Sequence, residues 1–323
     1  MTHTAGDDKS VSLRLYLTLK GVESGTTATI TGSSDESALN FSYTGNININ
    51  SENAIIPITA NAKIGKQIRK IIATISWQIS IEDKTFDIGE SGAHLIYTTI
   101  GTPSSIDYSC PTPGRMDIAI PTVATAIQKT GSYTNYPKIV WNIVGSKKFN
   151  LSTNVGTPAA AWAFPATGAD CISIAMFSRN VCTAMGLPGN FSTQIYAAYY
   201  KISSDMDRPK TGLPGINLDN PHIVPGSKGE TVTAGLDSSC FIILVDGNGG
   251  FNNFEAVVVY EFGTTYYFPG GTNLAYTNED HIVQLFQTLS WVKFGDHDNN
   301  PLTRDCLYVV ANDYTYTLPP SIF

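Results

Sequence analysis

The sequence predicts an α+β chain, with an Ig-like β-sandwich over residues 1–105 and a domain mixing helix and strand over 106–323. Three observations predict it. Two stretches of the first part alternate apolar and polar residues with a period of two. The linker-like Gly101-Thr102-Pro103-Ser104-Ser105 separates that part from the rest, which Pro111-Thr112-Pro113-Gly114 opens. Beyond the linker, residues 170–185 carry a helical apolar stripe with its own start and stop signals.

The first strand is the clearest. Val11, Leu13, Leu15, Leu17 and Leu19 alternate with Ser12, Arg14, Tyr16, Thr18 and Lys20, as a half-buried strand requires. Ala73, Ile75, Trp77, Ile79 and Ile81 repeat the pattern against Thr74, Ser76, Gln78 and Ser80. Shorter strands fit residues 27–31, 53–58, 85–88 and 95–100, with turns at Gly32-Ser33-Ser34 and Glu90-Ser91-Gly92. Short strands separated by polar turns indicate a sandwich.

In the second part, residues 115–127 read as a helix interrupted by Pro121. Residues 170–185 make a better one: Asp170 is placed to cap it, and Gly186-Leu187-Pro188-Gly189 stops it. Strands follow at 194–202, 240–245, 255–262 and 264–268. A last helix is expected over 281–292, with Thr277 and Asp280 as a capping box ahead of Ile282, Leu285, Phe286 and Leu289. Residues 306–310 and 314–318 read as closing strands, and 203–233 as a long irregular loop.

Composition narrows the function classes. Charged residues make up 15% and the net charge is −7, so Ser, Thr, Asn and Gly must solvate the surface. Nucleic acid would be repelled and finds no basic stripe. Apolar runs are too short for membrane insertion. The N-terminus is polar and acidic, so no signal peptide is read; cytoplasmic synthesis is expected, and leaderless export stays open. The five cysteines, Cys110, Cys171, Cys182, Cys240 and Cys306, are widely spaced. Without Cys-x-x-Cys or paired His ligands, neither metal nor cofactor is expected, and four of the five read as reduced, buried thiols. Asp246, in Asp246-Gly247-Asn248-Gly249-Gly250, fits a hairpin turn better than a cation loop.

Cys171 is different. In Gly168-Ala169-Asp170-Cys171 it opens the helix, after a glycine loop. A helix N-terminus carries partial positive charge and unpaired N–H groups, which favour a thiolate and can hold an oxyanion. Over about 180 residues the chain resembles the transglutaminase-like (papain-like) superfamily. Cys171, Phe177, Gly186 and Pro188 resemble its nucleophile helix. Asn252-Asn253-Phe254-Glu255-Ala256 resembles its histidine strand, and Tyr266-Tyr267-Phe268-Pro269-Gly270-Gly271 the segment that carries its aspartate. The resemblance implies a nucleophile helix packed on an antiparallel sheet.

It also places Asn253 at the histidine position and Phe268 at the aspartate position. An asparagine amide neither accepts the thiol proton nor returns it to a leaving group. A phenylalanine cannot orient an imidazole. Without a base, a thiol of pKa about 8.5 is only a few per cent thiolate at neutral pH. His222 and His281 are the candidate substitutes; His3, His94 and His297 lie outside the matching strands. The expectation is a non-catalytic binding, structural or cargo module with a protein or peptide partner. The alternative is an active thiol hydrolase or transferase using Cys171, as a leaderless effector handled by a secretion or injection apparatus. Tyr196, Tyr199, Tyr200, Tyr260, Tyr266 and Tyr267 read as cross-strand pairs on a sheet face rather than a ligand groove.

Overall fold

Alternation in the first part becomes a single sheet. The computed structural model describes residues 2–4, 9–50, 52–104, 112–148, 162, 168–197, 242–244, 254–282, 291–295, 306–310 and 320–323. Its first strands are β1 (Thr2–Thr4), β2 (Ser10–Thr18), β3 (Thr27–Ser33), β4 (Phe41–Asn46), β5 (Ile49–Asn50), β6 (Asn53–Lys63), β7 (Lys70–Ile81) and β8 (Lys84–Thr99). They pair in the order β1-β8-β7-β3-β4-β6-β2, with β5 on β6. All pairs are antiparallel except β1 with β8.

The sheet is curled. Residues buried from β2, β3, β4, β6, β7 and β8 meet in one core that includes Ile30, Phe41, Ile56, Ile75, Trp77 and Ile96. Alternation decides which face they take: along β7 every second residue from Ile71 to Ile79 is buried. Each such isoleucine contributes about 1.5–3 kcal/mol when buried. The strands form one continuous path rather than two separate sheets; a single pair, Phe41 with Ala60, joins β4 to β6.

Residues 85–88 and 95–100, expected as two strands, fall in one long β8 except for Ile100, which lies just past its end. The turn-like residues between them mark irregularities in its pairing with β7, where the register shifts between Ala73 and Ile75 and again between Trp77 and Gln78.

Three helices follow: α1 (Pro113–Thr130), α2 (Tyr136–Val144) and α3 (Cys171–Ala184). Helix α1 runs through Pro121, which is exposed on its outer side. Helix α2 starts at Asn135, whose side chain accepts the Lys138 N–H at 3.3 Å.

The later strands are β9 (Asn190–Ala197), β10 (Ile242–Leu244), β11 (Phe254–Phe262), β12 (Thr264–Pro269), β13 (Trp291–Gly295) and β14 (Cys306–Val310). They form two three-stranded sheets, β12-β11-β9 and β10-β14-β13. The first is antiparallel throughout.

The helix expected over 281–292 is corrected. Residues 279–282 are helical, but Trp291 and Val292 lie in β13, antiparallel to β14. Trp291, Val292 and Phe294 are aromatic or β-branched, which favours a strand over a further helical turn. The cap is also different: Asn278 Oδ1 accepts the Asp280 N–H at 3.0 Å. The expected loop at 203–233, the Asp246 turn and the strand at 314–318 lie outside the described residues.

By its contacts the chain divides into two units. One comprises Met1–Ser104, Pro111–Ala124 and Met185–Leu187; the other comprises Ser105–Cys110, Thr125–Ala184 and Pro188–Phe323. No helix among the described residues is long and apolar enough to cross a membrane.

Candidate functional site: the Cys171 helix and its sheet

Helix α3 begins where the sequence provides a cap. Asp170 is buried, and its Oδ1 accepts the Ser173 N–H at 2.8 Å. The chain reaches that cap through Gly168, at φ +107°, where a Cβ would collide with the Lys148 carbonyl oxygen. The next residue, Ala169, donates its N–H to that oxygen at 3.0 Å. Past the last turn, Gly186 has φ +65°, a conformation that glycine adopts without strain.

The helix packs on the antiparallel sheet of β9, β11 and β12. From Ala256 to Tyr260 every residue of β11 is buried, so both faces of this strand are covered. Val257 and Val259 point to one side, where they meet Tyr276 and Ile282. Tyr260 points to the other: its hydroxyl donates to the Pro188 carbonyl oxygen at 2.6 Å, and it interacts electrostatically with Cys182 of α3. Val258 shares the Tyr260 face by alternation, and Phe268 lies directly across from Val258.

Phe268 is therefore on the helix side of the sheet. It is fully buried and stacks on Tyr266, with ring centroids 6.3 Å apart and planes 11° apart. The ladder continues from Tyr266 to Tyr260 at 6.1 Å and from Tyr260 to Phe191 at 4.4 Å. The tyrosines thus divide by face: Tyr260 and Tyr266 pair across the strands, whereas Tyr267 packs with the opposite cluster.

Gly270 follows β12 and closes over the start of α3. A Cβ there would collide with the Cys171 carbonyl oxygen and would lie 3.0 Å from both its carbonyl carbon and its Cα. Gly270 is tied in place by its N–H, which donates to Ala256 O at 2.8 Å. Cys171 is completely buried. The sequence reading missed this contact, although Pro269-Gly270-Gly271 carries its signal: the backbone of one element approaches another most closely at glycine.

The partner positions stand as follows. Phe268 is beside the helix; Asn253 lies outside the described residues, as do His222 and His297. His281 rests edge-on against Tyr276, at 5.6 Å, in the cluster on the far side of the sheet from α3. His94 belongs to β8 in the first unit, with Ser91 Oγ 2.7 Å from its Nε2. Thus neither histidine whose side chain is described is built into the α3 face.

Farther along α3, Phe177 is buried between Trp162, at 6.1 Å edge-to-face, and Lys147, whose Nζ is 4.5 Å above its ring. Partial burial lowers the Lys147 pKa, and a cation over a ring face gains attraction. Cys182 is buried on the same helix, and desolvation pushes its thiol well above the ordinary range. Among the described residues, no group of three His, Cys, Asp or Glu side chains is placed to hold a metal ion.

No model of a known protein family matches the chain, and no curated protein matches it in sequence. The chemistry must be read from the geometry. A thiolate at the first turn of α3 would gain from the helix terminus, but Asp170 places a carboxylate at that terminus and takes the Ser173 N–H. Apolar rings and Gly270 fill the sheet side. Phe268 and Gly270 lie on the sheet side of α3, and neither histidine whose side chain is described lies beside that helix.

Proposed function

We propose that the chain is a non-catalytic protein whose second part uses a transglutaminase-like fold, and that it acts by binding a protein or peptide. The observation that carries this reading is Phe268. On the proposed resemblance it takes the place of the family aspartate; it is fully buried and stacks on Tyr266 on the helix side of the sheet. A carboxylate there would sit among aromatic rings, and a phenyl ring offers no acceptor to an imidazole.

Supporting it are the order and packing of the parts: a cysteine at the first turn of a helix, an antiparallel sheet against that helix, and a Pro-Gly segment meeting the cysteine. The Ig-like reading of the N-terminal sheet is likewise a proposal, supported by its alternating strands and single core. The burial of Cys171 favours a packing role over a nucleophilic one.

Alkylation tests the reading. With iodoacetamide at pH 7.5, Cys171 should label at least ten-fold more slowly in the folded chain than in urea, read peptide by peptide in a mass spectrometer. Cys171→Ala should change neither hydrolysis nor cross-linking of glutamine peptides. Peptide turnover that disappears in Cys171→Ala would overturn the proposal and restore the thiol-enzyme alternative.

A further inference from the structure

The sheet of the first unit ends on β2. In the pairing order β2 is last, and among the described residues no strand pairs with its other edge. The strand at the opposite end, β1, has three residues, whereas β2 has nine. Natural sheets blunt a long edge with proline, bulges or several charges. From Ser12 to Thr18, β2 has no proline and one charged residue, Arg14. Its pairing with β6 is irregular only before Ser12.

The register fixes which backbone groups that edge presents. Leu19 N–H donates to the Glu52 carbonyl oxygen at 2.7 Å. Leu19 and Glu52 stand one step past Thr18 and Asn53 on the β2–β6 ladder, so they are a hydrogen-bonded pair. Such pairs alternate with non-bonded ones along an antiparallel ladder. Leu17, Leu15 and Leu13 therefore turn their N–H and C=O toward β6, and Ser12, Arg14, Tyr16 and Thr18 turn theirs outward. Pro57 agrees with this phase. It stands opposite Arg14, where the ladder asks for no N–H from β6.

The side chains leave apolar surface on both faces of the edge. Leu13, Leu15 and Leu17 pack on the core but are only half-buried. On the outer face Tyr16 is 69% exposed, and Ile55, directly across from it, is 60% exposed. A strand added to the edge covers both sets, because cross-strand neighbours meet on each face.

We infer that the added strand is β2 of a second copy of the chain, antiparallel, with the two-fold axis through Leu15. That register sets Arg14 against Tyr16 of the second copy and Ser12 against its Thr18, and each such pair exchanges two backbone hydrogen bonds. All the outward groups from Ser12 to Thr18 are then used. Leu13 meets Leu17, and Leu15 meets its own counterpart, at the closely spaced positions between those pairs. Each Arg14 guanidinium comes beside a Tyr16 ring, an attractive contact. The neighbouring registers are worse. Centring on Arg14 sets two like charges directly opposite each other. Centring on Tyr16 carries Ser12 beyond Thr18 of the second copy, where β2 ends.

The test is sedimentation equilibrium of the full chain at pH 7. A single strand edge buries less than a standard interface, so the dissociation constant should be on the order of 1–100 μM. Across that range the wild-type mass should rise from monomer to dimer. Tyr16→Lys places a lysine against Arg14 of the second copy, twice per dimer. It should raise the dissociation constant at least about ten-fold, with an unchanged circular dichroism spectrum. Adding Arg14→Glu to that variant makes both cross pairs attractive, and should return the constant to within about three-fold of wild type. A chain that stays monomeric would overturn the inference, whether its edge then stays bare or takes a strand of another protein. So would a dimer that Tyr16→Lys leaves intact, or one that the double variant fails to restore.

Discussion

Alkaline pH should unfold the second unit in a way that one substitution can trace. Burial raises the pKa of Cys182 above 9.0 and that of Tyr260 above 10.0. For Tyr260, desolvation is the largest cause, followed by the nearby Cys182. Both groups are neutral when protonated, and both hold their protons more tightly folded than unfolded. Their stability is present below the unfolded values and is lost as pH rises past 9 for Cys182 and past 10 for Tyr260. Between pH 8 and 10.5, linkage gives a loss of about 2 kcal/mol through Cys182 and about 0.8 kcal/mol through Tyr260. Tyr267 and Tyr276, also raised by burial, act in the same direction; Lys147, lowered by burial, acts against them. Cys182→Ala removes the thiol's contribution and the part of the Tyr260 shift that Cys182 causes, while desolvation of Tyr260 remains in both proteins. Urea unfolding followed by circular dichroism at 222 nm, in reductant, should show that the stability difference between the two pH values shrinks by about 2 kcal/mol in the variant. If Cys182→Ala keeps the full pH dependence, the thiol is not shielded from water as the structure has it, and the packing of α3 on its sheet is misassigned.

Gly270→Ala should destabilise the second unit by about 1–3 kcal/mol, because backbone atoms of Cys171 leave no room for a methyl group and a rotamer change cannot relieve the clash; the urea midpoint reads it, and an unchanged midpoint would remove Gly270 from the α3 contact. Phe268→Asp should cost more, about 3–5 kcal/mol, through the lost ring and a carboxylate among Tyr266 and its neighbours. A Phe268→Asp chain as stable as wild type would mean that position 268 is solvated, against the reading of an apolar site.

Much of the first unit was legible because a sheet with one buried face writes its period into the sequence. The leucines of β2 and the isoleucines of β7 did so. Phe41–Asn46 alternates in burial along its whole length, but its apolar residues stop at Tyr43 and its Gly45 and Asn46 read as turn residues, so β4 escaped notice. Gly89 has φ +91° and sits at a register shift within β8; a glycine that serves an irregular strand looks in sequence like one that ends a strand. Helix α2 did carry a start signal in Asn135 and Pro137 and a helical spacing of buried residues at Ile139, Val140, Ile143 and Val144, but at nine residues it is short and was passed over. In the second unit, α3 was legible from its cap and stop. The division of the tyrosines between two sheet faces was not, since it depends on strand pairing far along the chain. Nor was the seating of Gly270 on Cys171.

The balance of effects at Cys171 decides what this site can do. A helix N-terminus contributes about 0.3–1 kcal/mol toward an anion, less than one pKa unit of thiol acidity, and Asp170 already occupies the terminus with a carboxylate bonded to the Ser173 N–H. Burial acts the other way. For a fully buried ionisable group it disfavours the charged form by up to several pKa units, as it does for Cys182 eleven residues along the same helix. Only a neighbouring base could reverse that sum, by pairing a cation with the thiolate as it forms. The two histidines whose side chains are described lie elsewhere: His281 is against Tyr276 across the sheet, and His94 is bonded to Ser91 in the first unit. A reactive Cys171 would therefore need a base from outside the described face, and the labelling rate of that one thiol is the measurement that separates the two outcomes.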